Sequence, residues 1–244
     1  MINVIRHEQP PIAPAPYRPG ARDLLNEARG YRDMVRLVLA APRFRKLPRL
    51  KGTGAILVPG WKAPEASMTP IRLFLKRRGC DARHWGLGTN QGDPERDSER
   101  LLETVASFAR QRGEPVALVG WSLGGVIARE VARALPDSVS QVITYGTPVV
   151  GGPTYTPAAG SYGEEECQRI AGRVVELDRE SPIRVPVSAI FSRRDGVVSW
   201  PACIDRSNPN VVHYEVESTH LSMGFDPSVW SLVAHRLAGS DLAG

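Results

Sequence analysis

Apolar residues along this chain follow two rhythms. Short runs that are apolar almost throughout, GAILVP (54–59), PVALVG (115–120), QVITYGT (141–147) and PVSAIFS (186–192), have the length and β-branched content of buried strands. CDARHWG (80–86) and VVHYEVE (211–217) join them as strand candidates. Between the runs lie longer segments in which Leu, Val or Ala recur every three to four positions, at 67–79, 94–113, 123–135 and 227–239, and these predict helices. Strands alternating with helices specify an α/β fold, a doubly wound and mostly parallel sheet with helices on both faces. In such sheets, sites form beyond the carboxyl ends of the strands.

The chain has 244 residues, 42% hydrophobic and 23% charged, enough to bury one sizeable core. No Pro/Ser/Gly-rich linker interrupts residues 53–238, so a single domain is expected over 53–244, with a short, small and flexible cap segment at about 149–184. Residues 1–52 read differently. QPPIAPAPYRPG (9–20) predicts an extended arm, and Leu24, Leu25, Ala28, Tyr31, Val35, Val38 and Leu39 then fall at helical spacing with arginines between them and Gly30 weakening the helix.

The net charge of +5 is scattered over most of the chain, and the one enriched stretch, PRFRKLPRLK (42–51), lacks the aromatic interleaving of a base-stacking surface. Nucleic acid is therefore not expected as a partner. A solvated face, or peripheral contact of the N-terminal region with a membrane, stays open. Oligomeric state is not legible. Cys80, Cys167 and Cys203 are odd in number and form no C-x-x-C pair, which argues against a disulfide framework and against a zinc site. The cytoplasm is the expected compartment. No secretory signal is visible in MINVIRHEQPP, and no apolar run approaches a membrane span.

One junction between a strand pattern and a helix pattern carries chemistry. Gly120-Trp121-Ser122-Leu123-Gly124 stands where PVALVG stops and LGGVIAREVARAL starts. A serine on so tight a turn needs neighbours without side chains, here Gly120 and Gly124, and the turn lifts its hydroxyl above the sheet edge. The backbone NH of Leu123 opens the new helix and points toward any oxyanion formed there. An inert capping serine on a tight turn is the plain alternative. A nucleophilic serine requires a base, and the base an orienting carboxylate. His7 lies in the arm, His84 and His213 in strand patterns and His235 on the last helix, which leaves His220, in a loop just after VVHYEV. Asp195 follows the carboxyl end of PVSAIFS, with Gly196 allowing a sharp turn, and is the preferred carboxylate; Asp178 and Asp205 are less well placed. A second oxyanion donor is expected from the NH of Trp61, with Gly60 letting the backbone approach.

With these residues in view, the chain resembles the α/β-hydrolase superfamily and, within it, bacterial lipase-like and esterase-like members. The likeness covers roughly residues 53–238 and rests on LVPGW, GWSLGG, SRRDGVV and STHLSMGF in that order. It implies that Ser122 is the nucleophile, Asp195 the acid, His220 the base and Trp61 and Leu123 the oxyanion donors, with no metal or organic cofactor. Pro59-Gly60 stands where many lipases carry His-Gly, a departure in the loop that leaves the backbone donor in place. HWGLGTNQG (84–92) also looks like a recurring block, without a chemical role of its own. The implied activity is hydrolysis of carboxylic esters, with a small-molecule ester or lipid as substrate, and the short cap rich in Gly, Pro and Ala predicts a fairly open site favouring esters of modest acyl length. An amidase, a thioesterase, a cofactor-free haloperoxidase or a non-catalytic binding protein on the same fold remains an alternative.

Overall fold

Gly54–Val58 (β2) is buried at every position, and that two-sided burial sets the architecture. Side chains alternate across a strand, so Ala55 and Leu57 enter one apolar cluster while Ile56 and Val58 enter another on the opposite face. The computed structural model describes residues 3–240. Residues 1–2 and 241–244, the outer ends of the arm and of the domain assigned from sequence, lie outside the described residues.

The remaining strands are Ile5–His7 (β1), Asp81–His84 (β3), Val116–Trp121 (β4), Val139–Tyr145 (β5), Val187–Ser192 (β6) and Val211–Val216 (β7). The sheet order is β1-β7-β6-β5-β4-β2-β3, parallel throughout except for antiparallel β1 on β7. The helices are Ala21–Asn26 (α1), Tyr31–Ala40 (α2), Thr69–Arg77 (α3), Pro94–Arg112 (α4), Leu123–Ala134 (α5), Ala159–Tyr162 (α6), Glu164–Glu180 (α7) and Pro227–Leu237 (α8). Apolar faces of α3 and α8 cover one side of the sheet, and those of α4 and α5 the other. The chain runs outward from β2 to β3 and returns to β4 on the other flank of β2. That reversal is a topological switch point, where a crevice opens above the strand ends. Val58 pairs with Gly120 across it, so the residues after β2 meet the residues after β4.

The predicted strands and helices all form, with ends shifted by up to two residues, and two features depart from the sequence reading. Strand β1 lies inside the expected arm. It is a three-residue edge strand beside prolines, too short for any period to declare it. The cap segment holds a 17-residue helix, α7. Only Cys167 and Ile170 of α7 are buried, so its sequence is too polar to show a core stripe.

Packing also continues across residue 53. Phe44 packs against Phe74 of α3 and Trp230 of α8, with ring centroids 5.0 and 5.9 Å away, and Leu47 and Leu50 are buried in the same cluster. Replacing Phe44 by Ala is expected to lower unfolding stability by about 2 kcal/mol, because a large aromatic leaves a cavity against two rings. Urea denaturation measures it; an unchanged midpoint would place residues 42–51 outside the core.

Candidate active site

Strand β4 gives way to helix α5 within one residue. Ser122 makes that turn at φ 53°, ψ −124°, a region that costs a non-glycine residue about 1–3 kcal/mol. The surrounding backbone leaves no alternative. A Cβ on Gly120 would lie 2.5 Å from the Gly124 carbonyl oxygen and the Gly125 amide nitrogen, and one on Gly124 would meet the carbonyl oxygens of Val58 and Pro59. Gly125, which sequence reasoning did not single out, is equally constrained: a side chain there would collide with Thr147. The helix thus passes directly across the end of β2, and the turn needs Gly120 and Gly124 as the glycine spacing predicts.

His220 stands in the loop after β7 and is buried with Asp195. Their contact is short, 2.7 Å between His220 Nδ1 and Asp195 Oδ2. The other carboxylate oxygen, Oδ1, accepts from the amides of Val197 and Val198 at 2.9 and 2.7 Å. Asp195 is therefore both a turn aspartate and the imidazole's partner, one oxygen for each task. Burial disfavours the imidazolium, but the Asp195 charge and hydrogen bond outweigh it with help from Glu27, and the His220 pKa is raised above 6.5. Gly146, at φ 58° beyond β5, admits the ring: a Cβ there would be 2.9 Å from Nδ1.

Ser122 and His220 line one cavity of about 200 Å³, walled mainly by apolar side chains that include Trp121, Pro153, Val174 and Leu221. Trp61 and Leu123 line it too. The Leu123 amide belongs to the first turn of α5, where N–H groups lack intrahelical acceptors. Gly60 brings the other strand end close, since a Cβ on it would be 3.3 Å from the Ser122 Cβ. A larger groove between α4 and α7, about 930 Å³, shares Val126, Tyr162 and Ile170 with the cavity but touches neither Ser122 nor His220.

The block at 84–92 acquires a role here. Asn90 is fully buried, donates from Nδ2 to the Pro59 carbonyl at 2.9 Å and accepts from the Gly92 amide at 3.0 Å. Its backbone exchanges bonds with Lys62 and Ala63, so one residue holds the loop that carries Gly60 and Trp61. Lys62 makes the bend at φ 55°.

The other candidates go elsewhere. Asp178 and Asp205 form a buried network with Arg129, Arg133 and Asn208, in which Arg133 lies 2.7 Å from Asp178 and Arg129 2.7 Å from Asp205. Burial pushes the Asp205 carboxyl up, yet Arg129 and two backbone donors outweigh it and its pKa is lowered. His213 accepts from the Asp205 amide, and burial lowers its pKa to about 4. All three cysteines are buried and free.

One residue of the site escaped sequence analysis altogether. Glu27, in the 3-10 turn between α1 and α2, accepts at Oε1 from the amides of Gly196 (2.8 Å) and His220 (3.0 Å) and at Oε2 from Leu221 (2.8 Å). A single carboxylate thereby ties the Asp195 loop to the His220 loop. Two further residues at threefold spacing support it. Gly30 allows the approach, since a Cβ would sit 2.7 Å from Thr219 Oγ1, and buried Asp33 accepts from the Ser222 hydroxyl at 2.6 Å. The only available signal was Glu27, Gly30 and Asp33 on one helical face, a polar stripe inside an otherwise apolar pattern.

Comparison with known proteins agrees with this fold. The model of a family described as the alpha/beta hydrolase family matches residues 55–238. A pimeloyl-[acyl-carrier protein] methyl ester esterase of Aliivibrio salmonicida is 36% identical over 98 residues, which span 38% of this chain and 36% of that protein. The chain thus spans about a third of the length of that curated relative. In overall fold it is similar to Aspergillus fumigatus lipase B (TM-score 0.56, 17% identity, 79% of this chain and 54% of that one). It is also similar to a metagenome-derived lipolytic enzyme (0.58, 14%, 79% and 93%) and to a thioesterase domain from the curacin biosynthetic pathway (0.54, 14%, 79% and 93%).

Glu27 can be tested apart from any activity. Glu27→Gln removes its charge, so the His220 pKa is expected to fall, read from the ring-proton shifts in an NMR titration. The sign extends to stability. A raised folded pKa contributes stability that is present below the unfolded value of about 6.5 and lost as pH rises through the folded value, and this contribution should shrink in the variant. An unmoved His220 titration would show that Glu27 does not act on the imidazole.

Proposed function

The chain belongs to the alpha/beta hydrolase family, and from that premise we propose that it hydrolyses carboxylic esters through an acyl-enzyme on Ser122. The observation that carries the reading is the buried Asp195–His220 pair, 2.7 Å apart, opening on the cavity that Ser122 lines. A serine hydroxyl is barely nucleophilic at neutral pH, so it needs a base within the same cavity.

In the first half-reaction His220 Nε2 takes the Ser122 proton as Oγ attacks the ester carbonyl carbon. The amides of Trp61 and Leu123 donate to the oxyanion, each such donor contributing about 3–4 kcal/mol to the transition state. Collapse breaks the acyl–oxygen bond, and His220 protonates the leaving alcohol. Water then repeats the attack with His220 as base, releasing the acid and restoring the serine. Asp195 fixes the tautomer with Nδ1–H toward the carboxylate and stabilises the imidazolium. These steps use no metal or cofactor.

Ester chemistry, rather than amide or thioester, is supported by the esterase likeness over 98 residues. The size of the substrate's acyl part is supported by the cavity. About 200 Å³ lies below the usual range for ligand pockets, and the walls are largely Pro, Val, Ile, Leu and Trp. A short acyl chain fits such a space with its carbonyl at Ser122.

Two measurements test the proposal. Turnover of p-nitrophenyl esters of graded length is expected to favour short acyl chains over long ones, and a maximum at long chains would contradict the cavity argument. Asp195→Asn, which spares the shape, is expected to lower kcat about 10⁴-fold. Because the His220 pKa is raised above 6.5 and only the neutral base accepts a proton, kcat/KM should climb through an acid limb lying above that value.

A further inference from the structure

Helices α1 and α2 are amphipathic in the reverse sense. The polar and small stripe of this segment, Glu27 and Gly30 in the 3-10 turn and Asp33 on α2, faces the His220 loop, while most of the large apolar residues of α1 and α2 face outward and Leu37 packs against the core. Among the described residues, seven of the fourteen exposed large apolar side chains lie between Leu24 and Leu39. Tyr31, Val38 and Leu39 are 73%, 73% and 72% exposed. In a water-soluble chain such residues ordinarily point inward.

The charge around this face is one-sided. Residues 21–51 carry nine Lys and Arg against three Asp and Glu, a net +6, whereas the whole chain nets +5, so the rest is close to neutral. The three acids are all engaged with the protein. Glu27 holds the catalytic loops, Asp33 is buried against Ser222 and Arg36, and Asp23 accepts from the Gly20 amide. Arg22, Arg29, Arg32, Arg43, Arg45 and Lys46 are exposed around the apolar surface.

We propose that α1 and α2 dock on an anionic lipid surface, with Leu25, Tyr31, Val38 and Leu39 in the acyl boundary and the arginines on the headgroups. An apolar face with a basic rim is the chemistry that an acidic membrane surface complements. A second copy of the chain fits less well, since isologous pairing would bring two basic rims together. Docking also has a consequence for substrate. Glu27 bonds the Leu221 amide, and Leu221 is an exposed wall of the cavity, so the docked segment adjoins the cavity that holds Ser122. The surface itself stands independently of the catalytic reading, because binding is measured without turnover.

Sedimentation with vesicles tests the inference. The full chain is expected to bind vesicles of phosphatidylcholine mixed with phosphatidylglycerol, to bind pure phosphatidylcholine far less, and to be released as salt is raised. The double variant Val38→Asp, Leu39→Asp alters two solvent-facing positions and is expected to keep its circular dichroism and its turnover of water-soluble p-nitrophenyl acetate. Its partitioning onto the mixed vesicles should fall at least ~10-fold. Equal binding to both vesicle types, or unchanged binding by the variant, would overturn the proposal. So would a dimer in solution that the same variant dissociates while the parent ignores both vesicles, which would assign the face to a second copy.

Discussion

A hydroxyl can stand exposed at the top of a parallel sheet, within reach of a base from another loop, only if the strand beneath it turns into a helix at that residue. Much of this molecule follows from that constraint. Ser122 takes a positive φ that its Cβ disfavours, and the turn closes only because Gly120, Gly124 and Gly125 let α5 cross the ends of β2 and β5 in direct contact. The switch point between β2 and β4 supplies the crevice, and Gly60 supplies the second strand end against the serine. The strain is held by packing on both sides, since β4 is buried on both faces and α5 is buried along most of its length.

The His220–Asp195 pair depends on a longer chain of support. His220 and Asp195 sit on separate loops after separate strands, 2.7 Å apart at their closest atoms. Glu27 joins them from outside the stretch that the family model covers. The N-terminal segment is in turn anchored by β1 on β7 at one end and by Phe44, Leu47 and Leu50 in the core at the other. A segment that looks peripheral in sequence thus holds two loops of the site from behind, and its outward face is left apolar and basic.

What could be read from sequence divides along physical lines. Strands buried on both faces, such as GAILV and VALVG, declare themselves because burial demands unbroken apolar runs, and the parallel fold follows from their spacing. The serine turn is legible because sterics force glycine at fixed offsets. Asp195 and His220 are legible from their places after strand ends. Sequence ranks Asp178 and Asp205 below Asp195, but their capture by Arg129 and Arg133 is a tertiary event that only the structure displays. The partners of Asn90 and Glu27 were out of reach for a related reason: each works through long-range bonds to backbone amides or carbonyls, which the side-chain sequence does not specify. Helix α7 was missed because a cap helix buries too little to need an apolar stripe.

The central claim is that Ser122 is activated by the buried pair beside it. The most direct measurement is labelling of the intact protein with a fluorophosphonate probe, read by mass spectrometry alongside Ser122→Ala and His220→Ala. The account predicts one adduct, mapped to Ser122 and abolished by either substitution. A folded protein that takes up no label, or takes it up at another residue, would contradict it and leave the strained turn as architecture alone.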